Sequence, residues 1–408
     1  MKTDTEVLIV GGGLNGPALA LALASGGIAS VIVDAMPKTV HADPAFDGRS
    51  YALSLTSVNM LRALGLWNGL AGNSQPMLDI MVSDGRAGEG ASPFFLHFDH
   101  REVGEGPMGH MVEDRYLRRT LLEAVDAEPL ITHIAGRSVV SQTTGAGHAT
   151  VTLDNGQDIT ARLIVGCDGR RSGTATRAGI PRLRKDYRQT GQVCAISHEK
   201  PHNGEAHQFF MPAGPLAILP LPGNRSSIVW TEATDRAEAI SAMDDAAYLA
   251  ELRPRFGDFL GEIALAGKRF AYPLDLTLAQ AFTAERVALA GDAAHGVHPL
   301  AGQGLNLGLR DVAALAETLV LAARRGEDIG SAVTLDAYAR WRRTDTATLV
   351  GSTDTINRIF SNDNPLLRLG RDLALGAINT MPRLRQSLIR EAAGLTGDLP
   401  RLMQGKPV

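Results

Sequence analysis

The chain has 408 residues, of which 44% are hydrophobic and 21% are charged, so it is long enough to bury a substantial core in two or three domains. Its formal net charge of -4 gives no general electrostatic reason to expect nucleic-acid binding. The two cysteines, Cys167 and Cys194, lack the spacing of a zinc site or a disulfide framework. We therefore expect a reducing compartment and no bound metal.

The sequence predicts neither export nor a membrane span. Val7–Val10 already reads as the first strand of the fold, which argues against a secretory signal, and no run of about 20 apolar residues occurs. The apolar stretch Ala18–Ala24 is short and is interpreted as a buried helix. We expect a soluble, cytoplasmic protein whose membrane contact would be peripheral.

The N-terminal stretch predicts a βαβ unit of the dinucleotide-binding kind. Two strands, Val7–Val10 and Ser30–Val33, flank the helix, and the motif residues are Gly11, Gly13 and Gly16 in G-x-G-x-x-G spacing and Asp34 after the second strand. Such glycines permit a tight turn, the approach of a pyrophosphate and close helix packing, and the acid accepts from adenosine ribose. The motif alone does not separate FAD from NAD, and a glycine-rich turn in an unrelated α/β protein is the alternative.

Helix and strand patterns alternate in the next part of the chain. Val58–Leu66 predicts an amphipathic helix with Arg49 in the loop before it, and residues 76–106 read as strands and loops. Another helix follows Asp114. We interpret three of its residues as a solvated face: Arg115, Arg118 and Arg119.

Antiparallel strands are predicted on both sides of an Asp-Gly pair. Val139–Val165 predicts hairpin strands around the turn Asp154-Asn155-Gly156, and these end at Asp168-Gly169. Residues 183–279 then read as a second, antiparallel layer with a turn at Pro222-Gly223-Asn224 and a helix over Ala246–Leu260. We interpret this layer as an inserted substrate domain, although its apolar side chains could equally be plain core.

Residues 286–319 contain a strand, a loop of small residues and a helix. The strand Val287–Ala290 stops at Gly291-Asp292, the loop carries His295, His298 and Pro299, and apolar residues fall at helical spacing from about Gln303. A carboxylate at a strand end accepts sugar hydroxyls, and a glycine-rich helix start offers free N–H groups to anionic charge. This geometry indicates a nucleotide or cofactor.

The C-terminal part mixes arginines with leucines and isoleucines in an amphipathic pattern. The arginines are Arg368, Arg371, Arg383, Arg385 and Arg390. They could contact a membrane surface or partner protein. Equally, the helices could pack on the cofactor domain with snorkelling arginines.

These motifs together resemble one known family. GDAAH followed by HPLAGQGLNLGLRD, with the G-x-G-x-x-G and DG motifs and the C-terminal GDLPRLMQG, is similar to the class A flavoprotein monooxygenases of the 4-hydroxybenzoate hydroxylase type, and within them to the ubiquinone-biosynthesis hydroxylases. The resemblance covers essentially the whole chain.

The resemblance implies an α/β fold with a discontinuous, Rossmann-like FAD-binding domain and an inserted antiparallel-sheet substrate domain. We assign residues 1–75, 107–182 and 280–350 to the FAD-binding domain, 76–106 and 183–279 to the substrate domain, and 351–408 to a C-terminal helical region. The substrate sheet is expected to cover the isoalloxazine face.

The residues expected to contact FAD follow from the same resemblance. They are Gly11, Gly13, Gly16, Asp34, Arg49, Asp114, Asp168, Gly169, Gly291, Asp292, Gly302, Gly304, Leu305 and Asn306. Arg49 would reach the flavin phosphates or ring edge, with an ordinary surface arginine as the alternative. Gly302 to Asn306 would direct N–H groups at the ring's pyrimidine carbonyl, and Asp292 would hold ribityl.

Two positions depart from the family pattern, and catalytic residues remain unassigned. The family carries Asn, Gln or Arg where this chain has Asp114, and Arg where it has Ala175, so Arg177 is the nearest substitute near the DG motif used with the nicotinamide cofactor. Pro299 would line the ring face. His298, like His295, is either an acid–base group or a structural histidine.

The resemblance implies a monooxygenase in which NAD(P)H, with NADPH favoured, reduces FAD and a flavin hydroperoxide hydroxylates a phenol. The implied substrate is a polyprenylphenol intermediate of ubiquinone biosynthesis, with dioxygen, and the implied location is the cytoplasmic side of the inner membrane, beside other quinone-biosynthesis proteins. The alternatives are a same-fold epoxidase, halogenase or small-aromatic hydroxylase, and a non-catalytic flavin-binding assembly partner.

Overall fold

The computed structural model describes residues 3–41, 43, 45, 47–297, 302–360, 370 and 374–408. The strands are β1 Thr5–Val10, β2 Ser30–Asp34, β3 Ser50–Ser54, β4 Ser74–Met77, β5 Asp79–Arg86, β6 Gly90–Asp99, β7 Gly109–Glu113, β8 Ile131–Ala135, β9 Val139–Thr144, β10 Ala149–Leu153, β11 Asp158–Gly166, β12 Arg182–His198, β13 Glu205–Met211, β14 Gly214–Leu221, β15 Arg225–Ala233, β16 Ile263–Leu265, β17 Phe270–Ala279, β18 Thr283–Ala284, β19 Val287–Leu289 and β20 His295–Gly296. The α-helices are α1 Asn15–Ser25, α2 Lys38–His41, α3 Leu55–Ala63, α4 Asn68–Ala71, α5 Asp114–Ala127, α6 Gly173–Arg177, α7 Thr234–Ser241, α8 Asp245–Phe256, α9 Gln303–Arg324, α10 Ala332–Phe360 and α11 Pro382–Ala392. Short 3-10 helices cover His100–Glu102, Gly291–Ala293 and Arg401–Gln404.

The first sheet has a parallel centre in the order β19-β11-β1-β2-β8. Its central strand, β1, is apolar from Val7 to Val10, and Val7, Leu8 and Ile9 are fully buried, as expected for a parallel strand covered on both faces. The β9–β10 hairpin extends β11 in antiparallel fashion. These elements confirm the predicted α/β class with a βαβ nucleotide-binding unit.

The second sheet has the order β20-β17-β12-β15-β14-β13-β5-β6, with β16 also paired to β12. Its pairs are antiparallel except for β13 with β5, which agrees with the antiparallel layer expected for residues 183–279. Helices α7 and α8 cover one face, where Cys194, Trp230, Tyr248 and Phe256 form a buried cluster. We call the opposite face the inner face.

Two details of this region differ from the sequence prediction. The helix predicted over Ala246–Leu260 ends at Phe256, because Gly257 adopts a φ of +87° that interrupts the helix. Helix α7 was not predicted, since its apolar positions are few. The short strand β20 joins the loop after Gly291 to β17 through Thr277 and Leu278, so the two sheets are linked at that loop.

A third, three-stranded sheet has the order β3-β7-β4. The predicted boundary between residues 75 and 76 falls inside β4, and that between 350 and 351 falls inside α10. Secondary-structure elements therefore cross both boundaries, and the division into domains stays a prediction.

The described C-terminal residues pack against the protein. Leu375 and Ile389 are buried in a cluster with Leu96 and Phe98 of β6. Two of the three α11 arginines make ion pairs: Arg385 with Glu102 at 2.9 Å and Arg390 with Glu105 at 3.5 Å. These helical residues therefore pack on the second sheet, whereas the packing alternative had placed them on the cofactor domain. Arg368 and Arg371 lie outside the described residues. Within the described chain, no helix is both long and apolar enough to cross a bilayer.

Helices α1 and α9 approach each other closely at Gly308. A Cβ at Gly308 would lie 2.5 Å from the Asn15 amide nitrogen, so we expect Gly308→Ala to force the helices apart and cost about 1–3 kcal/mol of stability. Thermal unfolding followed by circular dichroism measures the change.

Gly351→Ala is the matched control, because Gly351 is also inside a helix but has no described atom within 4 Å of its Cβ position. Its melting temperature should hold or rise, as alanine favours helix. A Gly308→Ala protein as stable as wild type would contradict the close approach.

Candidate functional site

The loops that carry the sequence motifs meet at one edge of the parallel sheet, where β19, β11, β1 and β2 end side by side. Backbone hydrogen bonds join them: Cys167 N–H donates to Val10 at 2.7 Å, and Ala290 N–H donates to Gly166 at 3.0 Å. The chain leaves β1 towards β2 on one side and reaches β11 and β19 on the other. Such a carboxyl edge, where the strand order reverses, is the usual position of a nucleotide in an open α/β sheet.

The three motif glycines occupy different environments in the turn between β1 and α1. A Cβ on Gly11, whose φ is +109°, would lie 2.4 Å from the Cys167 carbonyl oxygen, and one on Gly16 would lie 1.9 Å from the Gly11 carbonyl oxygen. Around the Cβ position of Gly13, by contrast, no atom of the described residues lies within 4 Å. Gly11 and Gly16 therefore permit close packing, while the backbone at Gly13 is open to a ligand.

Asp34 lies directly beside this turn. It ends β2, its Oδ1 accepts from Met36 N–H at 3.0 Å, and a Cβ on Gly12 would lie 2.3 Å from its Oδ2. The carboxylate is thus held against the glycine turn, where the predicted ribose contact would form.

The Gly291-Asp292 loop is joined to α1 through one side chain. The Asn15 amide lies between Gly291 and Gly308: Cβ atoms at these glycines would be 2.1 Å and 2.5 Å from its nitrogen. Gly291 also has a φ of +64°, which favours glycine. Asp292 keeps 40% of its side chain exposed and faces Arg170 Nε at 3.4 Å, so its carboxylate lies at the edge of the site.

Helix α9 begins after Gly302, which adopts a left-handed conformation with φ of +65°. The side chain of Asn306 ties this first turn to β3 and α3: it accepts from Ser54 N–H at 2.9 Å and Ser57 Oγ at 2.8 Å, and donates to the Ala52 carbonyl at 2.8 Å. Any contact of Asn306 with a cofactor would therefore use its backbone. Gly304 and Leu305 lie in the same first turn, with Leu305 packed against the main core.

An ionic cluster whose central residues, His295, Asp311 and Arg342, are fully buried lies behind the Gly291 loop. Asp311 accepts hydrogen bonds from His295 Nε2 at 2.5 Å, Arg342 Nε at 2.6 Å and Gly291 N–H at 2.9 Å. Burial acts to raise the pKa of Asp311, but the adjacent His295 and Arg342 lower it below its ordinary value. Asp345 completes the cluster by pairing with Arg342 at 2.7 Å.

This cluster bears on the two interpretations of the loop histidines. His295 is completely buried and its Nε2 is used by Asp311, so its described contacts are structural. The predicted candidates His298 and Pro299 lie outside the described residues.

A second ionic cluster surrounds Asp114 at the start of α5. Its carboxylate accepts from Tyr51 Oη at 2.9 Å and Arg118 Nε at 2.7 Å, and lies 3.4 Å from Arg49. Arg49 also pairs with Asp47 and lies over the Phe270 ring. The solvated-face interpretation of Arg118 is wrong, because only 17% of its side chain is exposed and it neutralises the unexpected acid.

The Asp168-Gly169 pair shapes its own loop. The Asp168 carboxylate accepts from Ser172 Oγ at 2.5 Å and from both the N–H and Oγ1 of Thr174 at 2.9 Å. The bond from Thr174 N–H satisfies a free backbone donor in the first turn of α6. Arg177, the nearest arginine to position 175, donates to the Val139 carbonyl at 3.2 Å and lies beside Gly173 of this loop, and its use with the nicotinamide cofactor stays a prediction.

Four further arginines lie near the Asp168 loop. Beside the Asp168 loop is a cleft of about 640 Å³, and its basic lining residues are Arg170, Arg171, Arg182 and Arg184. Arg170 is fixed by Asp275 at 3.0 Å and by the Val297 carbonyl at 2.9 Å. The cleft therefore offers positive charge next to Asp292.

The donor groups at this edge fit FAD. Helices α1 and α9 both begin here, and neither has an acidic residue in its first turn, so two positive helix ends are available to a pyrophosphate and to an electron-rich ring. The open backbone at Gly13 suits a pyrophosphate, and the carboxylate of Asp34 suits the adenosine ribose, so the groups at this edge match the parts of a dinucleotide. The individual contacts of the predicted residues stay predictions.

Sequence reasoning missed several residues that build the site: Asn15, Tyr51, Asp311, Arg342 and the cleft arginines. Asn15 lies within the glycine motif, and Asp311 ends the quoted GLNLGLRD string. Each is a polar residue among small or apolar neighbours, and this pattern could have identified both as site residues. The sequence pairs Arg342 only with Asp345 on its own helix and gives no signal of its contact with Asp311, which is on another helix.

Comparison with known proteins agrees with this geometry. A family model described as "FAD binding domain" matches residues 4–352. "Ubiquinone hydroxylase UbiL" of Rhodospirillum rubrum is 45% identical over 406 residues, which cover 99% of this chain and 93% of that protein. "3-demethoxyubiquinol 3-hydroxylase" of Escherichia coli is 34% identical over 395 residues, covering 96% of this chain and 99% of that protein.

The fold is also similar to that of solved structures. The crystal structure of p-nitrophenol 4-monooxygenase PnpA from Pseudomonas putida DLL-E4 superimposes with a TM-score of 0.81 at 20% identity, covering 97% of this chain and 99% of that one.

Removing Arg342 tests the buried cluster. Arg342→Met leaves the Asp311 carboxylate buried with one cation fewer, and we expect a loss of about 3–5 kcal/mol in unfolding free energy. Because the pKa of Asp311 is lowered in the folded state, this contribution is present above its ordinary pKa of about 3.9 and is lost as the pH falls through the lowered value.

The difference between wild type and Arg342→Met, followed by denaturant unfolding, should therefore shrink in that acidic window. Arg325→Met is the control, since its pair with Glu327 is exposed and its loss should have no measurable effect. Equal stability of Arg342→Met and wild type at neutral pH would argue against the cluster.

Proposed function

The chain belongs to the FAD-dependent aromatic-ring monooxygenases, in the branch that holds the ubiquinone hydroxylases, and we propose that it hydroxylates the ring of a polyprenylphenol intermediate of ubiquinone biosynthesis. FAD is its cofactor. Its relatives are named as ubiquinone hydroxylases, and the structural observation that carries the proposal is the apolar inner face of the second sheet.

The inner face packs against the three-stranded sheet. Leu219 and Leu221 of β14 and Ala195 of β12 pack with Met111 and Ala52 of the three-stranded sheet. Ala52 in turn contacts the start of α9, since a Cβ built on Gly302 would lie 3.1 Å from the Cβ of Ala52. An aromatic ring with an apolar tail suits such a surface, which has many small and aliphatic side chains and excludes water.

The chain's own residues have defined tasks in this proposal. FAD, when bound, accepts electrons from a reduced pyridine nucleotide and activates dioxygen. Asp34 and the α1 N-terminus would hold its adenosine and pyrophosphate, and the first turn of α9 would direct N–H groups towards negative charge on the reduced ring. The overall reaction inserts one oxygen atom into a ring C–H bond and releases the other as water.

The first experiment measures product. Purified protein with FAD, NADPH, isotopically labelled dioxygen and a short-chain prenylphenol is expected to yield a ring-hydroxylated product carrying the label, detected by mass spectrometry. The matched prenylbenzene, which lacks the activating hydroxyl, should give none.

The other outcomes separate the alternatives. Faster turnover of a small aromatic acid than of any prenylphenol would favour a catabolic hydroxylase. Bound FAD with no turnover of either substrate would favour a non-catalytic assembly partner.

We further propose that the arginine cleft receives the phosphates of the reduced pyridine nucleotide. Its four arginines face only one acidic lining residue, Asp275, and Arg170 connects that residue to Asp292 at the flavin edge. NADPH is favoured over NADH because it carries an additional phosphate for such a surface.

Arg171→Gln tests this cleft. Arg171 is exposed and makes no ion pair with any residue that the structure describes, so its loss should leave folding intact while raising the KM for NADPH about two- to fivefold with little change in kcat. Arg236→Gln is the control, because Arg236 pairs with Glu251 on the helices covering the other face. An unchanged KM in Arg171→Gln would exclude this docking site.

We also propose that the protein works at the cytoplasmic side of a membrane, where a prenylated substrate resides, with other quinone-biosynthesis proteins as neighbours. The exposed apolar residues Met381 and Leu384, beside Arg383, support a peripheral contact of the α11 region.

A further inference from the structure

One row of side chains crosses the inner face from β6 to β17. Strand register aligns Leu96, Val82, Gln208, Ala217, Val229, Val193 and Phe270 on neighbouring strands. Residues directly opposite each other in a sheet share a face. Gln208 is therefore the single polar member of a row that is otherwise apolar.

The amide of Gln208 differs from other glutamine amides in the same sheet. Its Nε2 is shielded from solvent and has no hydrogen-bond partner among the residues that the structure describes. Gln189 Nε2, in contrast, donates to the Ala213 carbonyl at 2.7 Å, and Gln192 Nε2 donates to the Ala237 carbonyl at 2.8 Å. A shielded N–H without an acceptor is unfavourable, so its position calls for a partner supplied from outside the chain.

The location of Gln208 limits what that partner can be. Its strand neighbour Val82 contacts the apolar cluster formed with α11, and its other neighbour Ala217 lies on the strand that carries Leu219. Leu219 belongs to the cluster with Ala52, which adjoins the start of α9. Gln208 thus lies between two apolar clusters, on the face that the proposed function gives to the aromatic substrate.

We propose that the Gln208 amide donates a hydrogen bond to an oxygen substituent, hydroxyl or methoxy, on the substrate's aromatic ring, and so selects oxygen-bearing rings. This inference rests on the proposed function, because it assigns a specificity-determining residue to the same site. A site built to hydrogen-bond an oxygen substituent rejects the analogue that lacks it, because the buried donor is then left unpaired.

The test compares ligand binding in wild type and Gln208→Met, a substitution of similar length and shape that removes the donor. Dissociation constants are measured from the change in flavin absorbance on adding a prenylphenol, its methyl ether or the matched prenylbenzene. Wild type should bind the two oxygen-bearing ligands about tenfold more tightly than the prenylbenzene. Gln208→Met should bind all three with affinities within about twofold of one another.

Two further variants keep the result interpretable. Gln208→Leu also removes the donor but has another shape, so agreement between the two variants assigns the effect to the hydrogen bond. Gln192→Leu is the matched control: it removes a glutamine from the opposite face, should lower the melting temperature because it breaks two hydrogen bonds, and should keep the tenfold preference. The Gln208 variants should melt at or above the wild-type temperature, because they remove an unpaired amide.

The possible results separate the role of Gln208 from the proposed hydroxylase function. A wild type that hydroxylates the prenylphenol but binds all three ligands equally overturns the role of Gln208 alone, as does a preference that persists in Gln208→Met and Gln208→Leu. A wild type that hydroxylates no prenylphenol overturns the proposed function and this inference with it.

Discussion

The close approach of α1 and α9 is the constraint on which the rest of the structure depends. Glycine is needed at position 308 of α9 and at position 291 of the preceding loop, because the Asn15 amide of α1 leaves no room for a Cβ at either. The Asp311 carboxylate of α9 binds the same loop through Gly291 N–H and binds α10 through Arg342. The approach brings two positive helix ends to one edge of the parallel sheet. Such helix ends favour an anionic dinucleotide at that edge.

The same constraint couples the cofactor edge to the second sheet. The loop after Gly291 supplies β20, which pairs with β17, and the first turn of α9 is tied to Ala52, which packs on the inner face. Cofactor loop, three-stranded sheet and inner face therefore form one continuous set of contacts. Since FAD supplies the redox chemistry, the chain's contribution is to hold the ring and the substrate in register and keep water away.

Local sequence patterns predicted the elements, while long-range pairing decided the details. The βαβ unit and the strand–loop–helix around Gly291 were predictable because their periodicity and glycine spacing lie within short stretches. The environment of Asp114 was not, because Arg118 was taken for a solvated residue when it is a buried counter-ion. Arg342 and the cleft arginines act on residues distant in sequence, for which a single sequence carries no pairing signal.

We expect FAD to lie across the two converging helix ends, and a crystal structure of the FAD-loaded protein would show its position. The pyrophosphate should lie against the backbone at Gly13, the adenosine ribose on Asp34 and the flavin ring beside the Gly302–Asn306 turn. Density for the flavin in the arginine cleft, or elsewhere on the chain, would contradict this expectation.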